Sequence, residues 1–429
     1  MSMSAHPSRA ASYYTSTAHA RPLCTTLAGD VSCDVAVVGG GITGLAAALH
    51  LRARGYAVVL LEGAELAAGA SGRSGGQVLP GYACGLSTLV RHLAPADVRR
   101  LWDMSREAVH LTRELISRHA IACDWRDGHL DTAIKPRQRV ELAQLATTLA
   151  RDYGETDLEL LEGAALTREV LSPRYCAGLY DRDSGHLHPL NYTLGLATAA
   201  QAAGVQIFEH SAALALETAA TPRLRTASGS VSAHYVILAQ NTGSPVLDDA
   251  LRAKIMPVST YIAATEALGA ERAAGLLPGG ASVCDINFVL DYFRLSADHR
   301  LLFGGRVSYS GLTPPRLAAS MRERMLRVFP SLGDVAIDSV WGGEVDITMN
   351  RAPHFGTRDG RVLYAQGFAG HGMALTALAG KLMAEAVAGQ AERFDLFARI
   401  PHRDFPGGPW LRTPSLVLAM LYYRLRDLL

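Results

Sequence analysis

Three glycine-rich segments carry most of the residues whose type and spacing could do chemistry. The first is Gly39-Gly40-Gly41-Ile42-Thr43-Gly44, set between an apolar run at 34–38 (DVAVV) and the helical pattern LAAALHLRARG, which ends at Gly55. A second apolar run at 57–61 ends at Glu62. In the order strand, GxGxxG, helix, strand, acid, each position has a physical task. Gly39 allows the tight turn, Gly41 lets backbone approach a pyrophosphate, and Gly44 lets helix pack on strand. The helix start, with Ile42 and Thr43 in its first turn, presents N–H groups and partial positive charge to that anion. Glu62 stands where a carboxylate accepts hydrogen bonds from the adenosine ribose. An adenine dinucleotide is the expected ligand.

The second segment, 68–77 (AGASGRSGGQ), tells which dinucleotide. Ser71, Arg73, Ser74, Gly75, Gly76 and Gln77 supply a further set of N–H groups and a cation suited to the diphosphate and isoalloxazine side of FAD. A nicotinamide domain would go on alternating strand and helix here. This chain instead enters long amphipathic helical stretches at about 87–119 and 137–152. The third segment, Gln366-Gly367-Phe368-Ala369-Gly370-His371-Gly372-Met373, repeats the strand–turn–helix geometry far along the chain. Its helix start, with Gly367, Gly370, His371, Gly372 and Met373, suits the negative charge that a flavin gains at N1 and C2=O on reduction.

Other elements must position these turns. Runs at 205–208, 231–239 and 362–365 read as strands of the dinucleotide domain to which the chain returns. Those at 255–265, 283–295 and 300–308 read as a second, more antiparallel sheet. The expected fold class is α/β, a Rossmann-like FAD domain interleaved with an α+β substrate domain on a mixed or antiparallel sheet. The expected division is an N-terminal arm at 1–30, a discontinuous FAD domain at 31–83, 185–245 and 345–400, a substrate domain at 84–184 and 246–344, and a tail at 401–429.

Composition excludes several classes. Hydrophobic residues form 49% of the chain and charged residues 19%, rich enough for large cores and too apolar for disorder. Lys+Arg 41 against Asp+Glu 40 gives no reason to expect a nucleic-acid partner. The six cysteines have no CxxC or Cys/His metal spacing, so no metal is expected and a reduced, cytoplasmic setting is. No apolar stretch approaches the ~20 residues of a spanning helix, so no integral membrane segment is expected. The start lacks the apolar core of a secretory signal; a transit peptide stays open. Ser415–Tyr423 reads as a docking helix on the body or a partner subunit, with membrane-surface contact as the alternative. Oligomeric state is open.

Together the motifs resemble the D-amino-acid oxidase family of FAD-dependent oxidoreductases, which includes sarcosine and glycine oxidases. The similarity is greatest to the branch containing gamma-glutamylputrescine oxidase. It is carried by Ser12-Tyr13-Tyr14, DVAVVGGGITGL, GASGRSGGQV, Asp183-Ser184-Gly185-His186-Leu187-His188-Pro189, Trp341-Gly342-Gly343, Arg351-Ala352-Pro353-His354, GFAGHGM and FPGGPWLRTP. The resemblance implies non-covalent FAD and oxidation of a C–N bond in an amine or amino acid, the imine then being hydrolysed. A gamma-glutamylated polyamine with O2 as acceptor leads. The alternatives are an L-pipecolate or N-methyl amino-acid oxidase, or an amine dehydrogenase passing electrons to a quinone or carrier protein. The lysines of sarcosine-oxidase-like members, one of which promotes reaction with oxygen, fall here on Ala374 and Leu302. No cysteine follows Cys284 to form a covalent flavin link.

Hydride transfer to a flavin needs a neutral, aligned amine, which a dry pocket favours without a dedicated base. Tyr261, Phe288, Tyr292, Phe293 and Phe303 are the aromatic candidates for that pocket, each with simple core as its alternative. A substrate carboxylate calls for an arginine: Arg306 first, because it follows Gly304-Gly305 on a substrate-sheet strand, then Arg294 and Arg351. His371 is the leading flavin or substrate contact. His188 and His354 are divided between a loop hydrogen bond and a polarising role. The catalytic set is therefore His371, Arg306, Tyr261 and His354.

Overall fold

The computed structural model describes residues 12–242, 247–287, 289–308 and 313–406, with Arg306 given by its backbone. Phe288, most of FPGGPWLRTP and the 415–423 segment lie outside the described residues.

Among the described residues, one eight-stranded sheet is built on Gly29–Val38. Its last four residues are fully buried, as a β-branched run between two layers must be. Val58–Leu61 lies parallel on one side and Gly229–Leu238 parallel on the other. Val362–Gln366 adds in parallel beyond Gly229–Leu238, and Gln206–Phe208 beyond Val58–Leu61. His354–Arg358 closes one edge antiparallel. The returning strands foreseen at 205–208, 231–239 and 362–365 thus join this sheet. Their parallel course brings Gly39, Glu62 and Gly367 to the same carboxyl edge, where such sheets bind ligands.

The second sheet has nine strands among the described residues, in the order Ile337–Ile347, Met256–Thr265, Leu301–Ser308, Tyr292–Leu295, Ser282–Asp285, Arg126–Ala133, Ala177–His186, Gln77–Val78, with Leu158–Leu161 on Ala177–His186. Its pairs are antiparallel except Ser282–Asp285 with Arg126–Ala133. The apolar stretch at 283–295 is two strands, because Asp285 and Asp291 tie a hairpin: the Asp285 carboxylate accepts the Asn287 and Asp291 N–H groups. Gln77–Val78 leaves the dinucleotide motif directly for this sheet, so the loop between Glu62 and Gln77 bridges the two sheets.

Two helices matter most for the site. Ile42–Arg52 and Leu375–Val387 are almost wholly buried and cross at Gly380. A Cβ there would stand 2.6 Å from the Thr43 carbonyl oxygen and 2.5 Å from the Ala47 nitrogen, so only glycine permits this approach. Pro95–Arg118, a strongly amphipathic helix started by proline, buries Val98, Leu101, Met104, Ala108 and Leu115 in the core shared with both. A separate core lies under the second sheet, with Leu317–Val328 packed on Phe293, Phe303 and Phe329.

Candidate active site

The site forms where the three glycine segments meet. Gly41 is the N-cap of Ile42–Arg52, with no side-chain cap and no acid in the first turn. Ser71 Oγ accepts the Ile42 N–H at 3.1 Å and stands 2.8 Å from where a Gly41 Cβ would lie. Gly39 has φ +113, and a side chain there would strike the Ala239 carbonyl. A Gly44 Cβ would overlap the Gly39 carbonyl, so helix and turn depend on one another. Glu62 faces the turn: Oε2 accepts the Gly40 N–H at 2.7 Å and Oε1 the Ala64 N–H at 2.8 Å.

The 71–77 loop continues from Ser71. Arg73 donates from Nε to the Gly342 carbonyl at 2.5 Å, while Trp341 donates from Nε1 to the Arg73 carbonyl at 3.1 Å. This pins the loop to the second sheet. Ser74 Oγ lies 2.9 Å from Met373 Sδ. Gly75 lies under the ring of Tyr292, 2.8 Å from its would-be Cβ, and Gly76 takes φ +77 beneath the Leu187 carbonyl. Gln77 donates to the Val283 carbonyl at 3.1 Å.

The third turn closes on the second. Asp346, fully enclosed, accepts the Gly367 N–H at 2.5 Å, and its carbonyl accepts the Ala369 N–H at 2.9 Å. Nothing surrounds the Cβ position of Gly370, at φ +84, so the turn keeps an open side. Leu375–Val387 again begins with no side-chain cap and no acid. His371 Nε2 lies 2.8 Å from the Pro80 carbonyl. Since a carbonyl only accepts, that nitrogen carries the proton and Nδ1 is left as an acceptor. Burial pushes the His371 pKa down, with the Pro80 bond opposing. The ring is neutral at pH 7.

Two helix starts without acids in the first turn, one of them bonded only by the small Ser71 hydroxyl, the open Cβ side of Gly370, and Glu62 at the strand end fit the pyrophosphate, ring and ribose of FAD. The residues that would hold it are Gly39, Gly41, Ile42, Thr43, Gly44 and Glu62 at the adenosine end. Ser71, Arg73, Ser74, Gly75, Gly76 and Gln77 would lie beside the ring, and Gly367, Gly370, His371, Gly372 and Met373 at its pyrimidine edge.

Other expected site residues fall elsewhere. Strand alternation separates the aromatics. Tyr292 points to the face that meets Gly75, whereas Phe293 and Phe303 stack on one another at 5.8 Å in the core under the second sheet. Tyr261, 6% exposed, joins that same core, so as a pocket residue it gives way to the core alternative. His354 has both ring nitrogens engaged, Nε2 with Tyr364 Oη and Nδ1 with Gln366 Nε2, each at 3.0 Å. His188 caps helix Pro189–Ala202 by accepting the Asn191 N–H, and its Nε2 meets Thr17 Oγ1 at 3.0 Å. Both histidines act as buried hydrogen-bonding groups, with pKa values pushed down to about 3, chiefly by burial.

Among the arginines, Arg294 is buried and directed at the Gly75 carbonyl, not at solvent. Arg351 takes φ +59 and lines a surface hollow with Cys84, Arg91 and His92. Arg306 sits opposite Tyr261 beside a bulge at Gly305. Leu302 and Ala374, the positions expected to correspond to the lysines of sarcosine-oxidase-like members, are 3% and 2% exposed. Lys254 pairs with Asp404 and Lys381 with Glu107, away from both. Sequence reasoning missed Pro80, Asp346 and Tyr292 as partners of the turns. Pro80 and Asp346 act through or upon backbone groups, which leave no side-chain pattern, and Tyr292 was weighed as an aromatic without its glycine neighbours.

Among the described residues no helix is long and apolar enough to cross a membrane, no His/Cys/Asp/Glu cluster could hold a metal, and all six cysteines are free.

Comparison with known proteins shows the family and the fold. Residues 34–386 match the family model described as FAD dependent oxidoreductase (DAO). The chain is 41% identical over 418 residues to gamma-glutamylputrescine oxidoreductase of Escherichia coli strain K12, covering 97% of this chain and 98% of that protein. It is 39% identical to the probable oxidoreductase OrdL of Haemophilus influenzae, covering 92% of each. In fold it is similar to glycine oxidase from Geobacillus kaustophilus, with TM-score 0.71 at 22% identity over 85% of this chain and 97% of the other. L-amino acid deaminase from Proteus vulgaris gives TM-score 0.72 at 19% identity, over 88% and 99%. This chain belongs to the DAO family of FAD-dependent oxidoreductases.

Proposed function

We propose that this protein oxidises the C–N bond of a gamma-glutamylated polyamine such as gamma-glutamylputrescine, in the cytoplasm, with molecular oxygen as acceptor. The observation that carries the substrate reading is the 41% identity to gamma-glutamylputrescine oxidoreductase along nearly the full length of both chains. The reading of the site rests on the meeting of the 71–77 loop with the 367–373 turn.

Bound FAD supplies the acceptor for a hydride from the substrate carbon. The chain's own residues prepare that event. Tyr292 covers the loop side at Gly75 with aromatic surface, backed by the buried Trp341, and a dry setting of this kind lowers an amine's pKa toward its neutral, reactive form. His371, neutral and held by Pro80, offers Nδ1 as an acceptor toward an amine N–H and so orients its lone pair. The start of Leu375–Val387 places positive backbone charge where negative charge develops. Arg306 is the proposed partner of a substrate carboxylate. Of the other catalytic assignments, His354 is retained only as a support for Gln366 at the strand end, and Tyr261 as a core residue.

A second reading concerns the acceptor. Leu302 and Ala374 leave no cation at the positions where related oxidases place lysines, one of which promotes reaction with oxygen. This favours a dehydrogenase that delivers electrons to a quinone or carrier protein.

An anaerobic titration followed by air tests both. Gamma-glutamylputrescine should bleach the flavin band, and air should restore it with one peroxide per turnover. Failure of this amine to bleach, with bleaching by L-pipecolate or an N-methyl amino acid, would overturn the substrate. Bleaching that persists in air would overturn oxygen.

A further inference from the structure

The segment ahead of the family-matched region reaches into the flavin loop. The family match begins at residue 34, yet the helix Tyr13–Ser16, closed by a Ser12–Thr15 capping box, is buried at both tyrosines. Tyr14 has no exposed surface, and its ring lies edge-on to Trp341 at 5.1 Å and to His188 at 4.9 Å. Arg294, 4% exposed, donates from Nη2 to Tyr14 Oη at 3.1 Å and from Nε to the Gly75 carbonyl at 2.6 Å. Its third partner is the Leu295 carbonyl at 3.3 Å.

All three partners are neutral acceptors, and among the described residues no carboxylate lies within ion-pair range of this guanidinium. A buried cation so arranged is costly and gains nothing from ion pairing. What it provides is a rigid planar fork that fixes two acceptors at once, which lysine cannot do. The neighbouring peptide is held too, since a Gly76 Cβ would stand 3.0 Å from Arg294 Nη2. The arm is itself anchored at three further points. Tyr13 donates to Asp298 at 2.7 Å, the His19 N–H to Asn191 at 2.9 Å, and Arg21 to the Leu66 carbonyl at 2.8 Å.

We propose that residues 12–17 latch the flavin loop. Tyr14 and Arg294 are positioning residues: Tyr14 holds the guanidinium, and the guanidinium holds the Gly75 carbonyl so that the backbone of 75–77 faces the isoalloxazine end of the cofactor. The proposal rests on the reading of 71–77 as the ring-side loop.

The test uses the full-length holoenzyme and three variants: Tyr14→Phe, Arg294→Lys and Gly75→Ala. Tyr14→Phe keeps the buried ring and removes only the hydroxyl that Arg294 bonds. Flavin release on dilution, followed by fluorescence, should quicken about tenfold in Tyr14→Phe and more in Arg294→Lys. The visible circular dichroism of the bound flavin, a signature of its local surroundings, should change in both. A purely structural arm would lower Tm and leave release rate and dichroism as in wild type; that result overturns the latch. Should Arg294→Lys fail to fold, Tyr14→Phe decides alone. Gly75→Ala, whose Cβ meets Tyr292, separates the two failures. If it speeds release while Tyr14→Phe does not, the latch is wrong and the loop reading stands. If neither does, the loop reading fails and takes the latch with it.

Discussion

The Ser74 hydroxyl lies 2.9 Å from the Met373 sulfur, across 299 residues of chain. This contact joins the loop that leaves the dinucleotide motif to the turn that starts the helix Leu375–Val387. The His371–Pro80 hydrogen bond adds a second tie to the same turn. Together they make one cradle from two helix starts.

Gly41→Val tests the adenosine end of that cradle. Its side chain meets Ser71 Oγ and occupies the open path to the helix start. FAD affinity should fall about 100-fold, equal to roughly 2.7 kcal/mol. The flavin absorbance of the purified protein reads this directly, and a fully yellow variant would contradict the placement.

His371→Ala tests the other end. It removes the acceptor at Nδ1 without touching backbone, so flavin should stay bound while kcat falls by about 100-fold, the lower end of what the loss of one positioned polar group costs. Because burial lowers the pKa of His371, the wild-type rate profile should show no step from this residue between pH 7 and 9. A protonation step there that vanishes in the variant would show that His371 is charged in the working range.

These two expectations rest on features visible in the sequence to different degrees. GxGxxG, Glu62 and the GHG turn are backbone devices that glycine spacing exposes, and the strands that carry them alternate or run apolar as burial demands. The sidedness of Tyr261, Phe293 and Phe303 was not legible, because an apolar run in a sheet buried on both faces gives no marker of which face meets the cofactor. The engaged nitrogens of His354 depend on Tyr364 and Gln366 across a hairpin, a register no motif encodes. Arg294 looked like a carboxylate ligand because arginine is rarely buried, and only the packing of Tyr14 explains its place.

Stability should depend on pH through the buried histidines. His186, His188 and His354 are pushed down to about 3, and His50 and His402 to about 4, in each case first by burial. The folded state keeps them neutral, whereas the unfolded chain takes up protons below about pH 6.5. Their contribution is therefore present above pH 6.5 and lost as pH falls toward 4. Asp285, raised to about 7 by burial and by Asp291, acts in the opposite sense, contributing at low pH and losing that contribution as pH rises through 7. Burial raises Glu169, Asp291 and Asp346 in the same sense as Asp285 and lowers His119 and His371 with the other histidines; with seven histidines against four carboxyls, Tm should drop between pH 7 and 5. A Tm that holds or rises over that interval would contradict the neutral assignments.

Arg306→Ala tests the carboxylate partner. Loss of a charged hydrogen bond of this kind costs roughly 2–5 kcal/mol, so KM for gamma-glutamylputrescine should rise strongly with flavin content unchanged. Steady-state kinetics against a substrate analogue without the carboxylate supplies the control, for which KM should not move. Equal effects on both substrates, or none on either, would remove the assignment.

The most direct test of the cradle is a crystal structure of the FAD-loaded protein. The pyrophosphate should lie at the Gly41 helix start and the pyrimidine edge of the ring within hydrogen-bonding distance of the 370–373 backbone. A ring lying away from that turn, with His371 out of reach of both flavin and substrate, would contradict it.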